Sequence, residues 1–223
     1  MPALERHDDV FVLDLGDTEN RLHPDWVVSV DTMLDEVERA EGPRALVTTA
    51  RGKFYSTGLD LDWLLAHPEQ HPAYVLSVHR LLARMLSLPV ITVAALQGHA
   101  FGGGAMFSLA HDFRVMRADR GYWCLPEIDI DIAFTPGISA LIQAKLSSRT
   151  AHTAMITAHR YGGHEALDAA IVDHAVAEDS VRDTALELAR PQTAKAGPTL
   201  ATVKARMYAP ALQILRDSGA PVS

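Results

Sequence analysis

The chain has 223 residues, 48% of them hydrophobic and 22% charged, the composition of an ordinary globular domain rather than of a disordered tail or a collagen-like fibre. With 20 Lys and Arg against 28 Asp and Glu, the net charge is −8, which lacks the basic footprint of a nucleic-acid binder and suits an anionic membrane surface poorly. The lone cysteine, Cys124, excludes an intramolecular disulfide, and the charged stretch Met1 to Val10 has no signal-peptide core.

In chain order, Val10 to Leu15 reads as a strand. A helix opens at Pro24, with Trp26, Val27, Val30, Leu34 and Val37 at helical spacing, and ends before Gly42-Pro43. Ala45 to Thr49 is a buried strand, Arg51 to Asp60 a loop, and Asp62 to Ala66 one helical turn. An irregular segment between His67-Pro68 and His71-Pro72 leads to an amphipathic helix over Ala73 to Leu88, stopped by Pro89. The near-continuous apolar run Val90 to Leu96 suits a strand covered on both faces. The stretch Met85 to Leu96, interrupted by Ser87 and Pro89, is too short to span a bilayer. Gly98 to Gly104 is a glycine-rich turn opening a helix to Ala110, and Phe113 to Met116 and Tyr122 to Leu125 are short strands. From Thr135 the pattern is mostly helical, with a strand at Ile171 to Val176, a helix near Val181 to Ala196, and a last helix near Pro198 to Leu215. Alternating strands and helices without a long linker predict a single α/β unit.

Two loops draw the chemistry. Each follows a buried strand and precedes helical sequence: Lys53 to Leu61, and Gly98-His99-Ala100-Phe101-Gly102-Gly103-Gly104. The second lacks the acidic partner of a dinucleotide fingerprint and the Lys-Ser or Lys-Thr of a phosphate loop. One amide from each could meet a shared anion, which is the geometry of an oxyanion hole; a plain strand-to-helix turn is the alternative. There is no Gly-x-Ser-x-Gly elbow for a hydrolase. His67 and His71 are four apart, but the adjacent prolines argue against a shared metal-binding face, so no metal is expected. Cys124 reads as a core residue, and His99 as a packing or capping residue.

These loops resemble the enoyl-CoA hydratase/isomerase (crotonase) superfamily. The matching stretches are Phe54 to Leu61, Ala94 to Ala110, His111-Asp112-Phe113-Arg114, Pro126-Glu127-Ile128 and Pro136-Gly137. Gly98-His99-Ala100 and Glu127-Ile128-Asp129-Ile130 resemble the short enoyl-CoA isomerases most. The resemblance implies an α/β spiral of ββα turns. The crotonase-like core would span 1–195, with 196–223 a short C-terminal helical extension of the same domain. It also implies acyl-CoA thioester substrates, no separate cofactor because CoA is part of the substrate, and a homotrimer or dimer of trimers. By the same resemblance, Thr57 and Gly103 supply the oxyanion amides. Arg21, Leu22, Ser56, Gly58, Leu59, Asp60 and Gly102 fall at substrate-binding positions, with Asp60 mainly structural. Arg21, Lys204 and Arg206 are candidates for CoA phosphates.

Hydratases of that family use two glutamates around a water. The first aligns with Met106 and the second with Glu127, so one carboxylate remains, which is the isomerase pattern. A hydratase, or another lyase or hydrolase of the superfamily, would need Asp129 or Asp131 as the missing group. Both alternate with Ile128, Ile130 and Ile132, and an extended segment would place them on the face of Glu127. A non-catalytic CoA-thioester-binding protein is the third alternative. The terminal Pro221-Val222-Ser223 is not a peroxisomal address of the Ser-Lys-Leu kind, which favours a cytoplasmic location.

Overall fold

The computed structural model describes residues 1–217, so the predicted extension is seen only to Asp217 and Pro221-Val222-Ser223 lie outside the described residues. Its larger sheet is built from β1 (Ala3–His7), β2 (Val10–Asp14), β3 (Ala45–Thr49), β5 (Ile91–Leu96), β7 (Phe113–Arg117) and β9 (His174–Val176), in that spatial order. All pairs are parallel except the β1–β2 hairpin. A smaller parallel sheet holds β4 (Phe54–Ser56), β6 (His99–Phe101) and β8 (Trp123–Cys124). Each long strand β3, β5 and β7 is followed by a short strand of the second sheet and then by helix, which is the expected ββα spiral.

The apolar strands follow from their two covered faces. Val10, Val12, Val47, Val93 and Val115 meet Val181, Ala185 and Ala189 of α8 (Val181–Ala189). Phe11, Leu13, Leu46, Leu96 and Met116 face the main core. Val12, Val47 and Val93 are register partners in turn, each almost fully buried. Burying one such side chain is worth about 1.5–3 kcal/mol, so these strands carry much of the core.

Around the sheets run α1 (Pro24–Arg39), α2 (Leu61–Ala66), α3 (His71–Ser87), α4 (Gly103–Leu109), α5 (Pro136–Lys145), α6 (Ser148–Thr157) and α7 (Gly163–Asp168). After α8 come α9 (Pro198–Met207) and α10 (Ala209–Asp217). The helix expected near Val181 to Ala196 is α8 plus a 3-10 segment at Arg190–Lys195, because Pro191 cannot continue the α-helical bonding. The single last helix is two, broken at Tyr208 ahead of Pro210. The irregular segment at 67–72 is a 3-10 turn, Pro68–Gln70, after which α3 begins at His71 with Pro72 in its first turn.

Three strands have no counterpart in the sequence reading. β1 is a charged, mostly exposed edge strand, so it carries no apolar signature. β4 and β6 lie inside the two loops read as irregular, and three residues are too few for an alternation to show.

Candidate active site

The two loops meet. Gly58 has φ +90°, and a Cβ there would lie 2.5 Å from the Gly103 nitrogen, so a side chain at 58 would drive the loops apart. The Leu22 amide donates to the Gly58 carbonyl (2.8 Å), and the Leu22 side chain is fully buried against Gly103. Asn20, not singled out from the sequence as a residue in its own right, organises this region. Buried and in the left-handed conformation (φ 49°), it donates from Nδ2 to the carbonyls of Phe54 (3.2 Å) and Tyr55 (3.1 Å). Its signal is chemical, since asparagine tolerates that backbone and carries an amide to bond it.

The expectation for Thr57 is corrected. Its amide already donates to the Glu19 carbonyl (2.9 Å), and the next amide, Gly58, donates to Ser56 Oγ (3.1 Å). The following amide, Leu59, has no acceptor among the described residues, nor has that of Gly103 at the start of α4. A Cβ on Gly103 would stand 3.4 Å from the Leu59 nitrogen, so these two amides are neighbours. Leu59 is therefore the loop's available donor, two residues later than expected.

Other sequence candidates also change role. Ser56 is fully buried, its hydroxyl donating to the Asn20 carbonyl (2.8 Å), so it offers nothing to a substrate. Arg21 is committed to three carboxylates, Glu19 (2.7 Å), Asp60 (3.1 Å) and Asp62, and ties the turn before α1 to the loop after β4. Asp60 caps α2 through the Trp63 amide (3.2 Å), and its own amide donates to Tyr74 Oη (2.9 Å), in keeping with a structural part. Lys204 is buried and paired with Asp112, which removes it from any surface phosphate site; Arg206 is exposed on α9. His99 is a packing residue, its ring tilted against those of Phe101 and Tyr122 and accepting the Tyr122 amide at Nδ1 (3.2 Å). Cys124 is buried, its thiol bonded to the Ala158 carbonyl (3.2 Å) and pushed up to about 11 by desolvation, so it is no nucleophile.

Glu127 stands at the start of a 3-10 turn, Glu127–Ile130, directly after β8 and Leu125-Pro126. It is the sole buried acid among the described residues, 8% exposed. Its Oε2 has no hydrogen-bond partner, and desolvation pushes its pKa up to about 7. Gly102 makes room for it: with φ 49° and ψ −121°, a conformation other residues avoid, a Cβ there would sit 3.0 Å from Oε1. Glu127, Gly103, Leu59 and Met106 border one cavity of about 560 Å³, whose remaining wall is largely apolar, with Leu64, Val78, Phe134 and Ile138 contributing. Among the described residues, no group of three or more metal-ligating side chains is placed to hold an ion.

The strand-like alternation after Glu127 is corrected too. The segment is a 3-10 turn ending at Asp131 in the left-handed conformation (φ 55°, ψ 34°), and Ile128, Ile130 and Ile132 are exposed. Asp131 borders the cavity and Asp129 does not.

Comparison with known proteins shows the family and the fold. Residues 5–217 match the sequence profile of the enoyl-CoA hydratase/isomerase family. The chain is 36% identical over 221 residues to enoyl-CoA delta isomerase 3 of Arabidopsis thaliana, covering 93% of this chain and 92% of that protein. It superposes on the human mitochondrial delta3-delta2-enoyl-CoA isomerase with a TM-score of 0.86 at 25% identity, covering 98% of this chain and 88% of that one. An enoyl-CoA isomerase structure from Mycobacterium tuberculosis gives a TM-score of 0.90 at 26% identity, with 98% and 95% covered. The chain belongs to the enoyl-CoA hydratase/isomerase family. It is an enzyme of the crotonase fold, with isomerase the favoured activity.

Proposed function

We propose that this protein shifts the double bond of a 3-enoyl-CoA thioester to the 2-position, with Glu127 as the single acid–base group. The observation that carries this reading is a buried carboxyl, raised towards neutral pH, in an apolar cavity where Met106 occupies the place of a second acid. Such a carboxyl is a strong enough base to take a proton from the thioester's α-carbon at neutral pH. Electrons move into the carbonyl, and the resulting dienolate oxygen is held by the Leu59 and Gly103 amides. Each such donor is worth about 3 to 4 kcal/mol of transition-state stabilisation. The protonated Glu127 returns the proton to the γ-carbon, giving the conjugated 2-enoyl thioester and restoring the carboxylate. No water is consumed, so no second acid is required.

The test is 3-enoyl-CoA with purified protein, following the ultraviolet absorbance of conjugation. Glu127→Gln should lower kcat by at least 10³-fold while a saturated acyl-CoA still binds, since Gln keeps the shape and cannot accept the proton. Near-normal turnover by that variant would remove Glu127 from the chemistry. Asp131 on the cavity's edge supports a second reading, a hydratase in which it supplies the other carboxylate. Hydrated product formed from 2-enoyl-CoA, and lost in Asp131→Asn, would favour that reading instead.

A further inference from the structure

The C-terminal helices dock through a charge. Lys204 is the only buried residue of α9, 2% exposed. Its Nζ donates to Asp112 Oδ2 (2.6 Å) and to the Val90 carbonyl (2.7 Å). The same Oδ2 accepts from the Thr92 amide (2.8 Å) and hydroxyl (3.1 Å), so the carboxylate is also held by bonds that do not involve the lysine. Nearby, Lys145 of α5 donates to the His111 carbonyl (2.8 Å) and to Tyr208 Oη (3.2 Å), Tyr208 being the joint between α9 and α10.

Both ends of this arrangement lead to the cavity. Val90 and Pro89 form the turn between α3 and β5, and the Gly197 amide at the head of α9 also bonds there, to the Pro89 carbonyl (2.8 Å). α9 thus clamps the C-terminal end of α3, the helix that brings Val75 and Val78 to the cavity wall. Asp112 follows α4, whose first turn carries Gly103 and Met106. Beyond Tyr208, α10 buries Ala211, Leu212 and Leu215 in the core shared with Val78 of α3 and Ile138 of α5, two further wall residues. An ion pair whose lysine is buried and whose aspartate is 15% exposed, held by hydrogen bonds from both sides, fixes one arrangement, since removing either partner strands the other.

We infer that Lys204 is a positioning residue for the acyl cavity: through Asp112 and Val90 it seats the α9–α10 pair, which sets the spacing of α3 and α5 around the bound chain. The inference rests on reading the cavity as the acyl-chain site. Lys204 touches no reacting atom, so the chemical step should be spared and chain binding should not.

The experiment compares Lys204→Met with the wild type in binding decanoyl-CoA and acetyl-CoA, by calorimetry, and in amide hydrogen exchange without ligand. Decanoyl-CoA should bind at least tenfold more weakly and acetyl-CoA within twofold, with faster exchange along α3 and α10. A role in general stability alone would lower the melting temperature and leave the ratio of the two dissociation constants unchanged, which overturns the inference, as does unchanged exchange along α3. If the wild type binds neither thioester, the acyl-CoA reading fails, and the exchange comparison alone then decides whether Lys204 positions these helices. Should Lys204→Met not fold, Asp112→Asn carries the same test, because it keeps the Thr92 bonds and removes the charge that Lys204 needs.

Discussion

At the residue scale, the site turns on what burial does to one carboxyl. Glu127 has its pKa raised from 4.5 to about 7 by desolvation, which outweighs the lowering effect of a backbone hydrogen bond. A base works when deprotonated, so kcat/KM should rise tenfold per pH unit below about 7 and level off above it. A flat profile between pH 5 and 8 under single-turnover conditions would assign the proton transfer elsewhere. The same carboxyl shows how residue identity and residue role separate. Glu127 was identifiable in Pro126-Glu127-Ile128, but its burial could not be read there, because Ile128 and Ile130, its apolar neighbours in sequence, are exposed. The apolar surroundings come from Leu59, Met106, Phe134 and Ile138, brought in from other parts of the chain.

At the element scale, the loops after β4 and β6 are set by backbone contact. The approach of Gly58 to Gly103 leaves no space for a methyl group, and the nearest atoms are backbone, which cannot swing away. Gly58→Ala should therefore separate the amides of Leu59 and Gly103 and cut kcat by 10²- to 10³-fold, the loss of one oxyanion donor. Steady-state kinetics at saturating substrate would show it; a variant within threefold of wild type would mean that the loops tolerate a shift without consequence. The sequence showed that each loop joins a strand to a helix. It could not show which amide was free, because that depends on the carbonyl of Glu19, 38 residues before Thr57 in the chain, capturing the amide there.

At the scale of the whole molecule, a buried hydrogen-bond chain links the large sheet, the small sheet and α4. His111 is fully buried, with Nδ1 2.8 Å from the Phe107 carbonyl and Nε2 2.9 Å from Thr48 Oγ1. A carbonyl only accepts, so Nδ1 carries the proton and Nε2 of the neutral ring accepts from Thr48, leaving Tyr55 Oη (2.8 Å) to donate to Thr48. Desolvation lowers the His111 pKa from 6.5 to about 3. Between those values the unfolded chain binds the proton and the native protein does not, so stability is lost as pH falls from 6.5 towards 3. His111→Leu should remove the ring's two buried hydrogen bonds, to Thr48 and to the Phe107 carbonyl, and cost about 1–3 kcal/mol at pH 7. It should also flatten the fall in melting temperature between pH 6.5 and 4, which thermal denaturation across that range would measure; an unchanged slope would show that other groups govern acid stability.

What the sequence determined by itself follows from local physics. Apolar runs made β2, β3 and β5 legible, helical spacing made α1 and α3 legible, and the order of the motifs carried the family. Tertiary structure decided everything that rests on distant partners. It chose Leu59 over Thr57, because Glu19 takes the earlier amide. It turned Lys204 inward to Asp112, 92 residues away in sequence. It coiled the segment after Glu127 into a 3-10 turn although its residues alternate like a strand, since no neighbouring strand is there to pair with it. Periodicity reports which side of an element is apolar; a hydrogen bond needs a second group at a set distance, and only the folded chain supplies one.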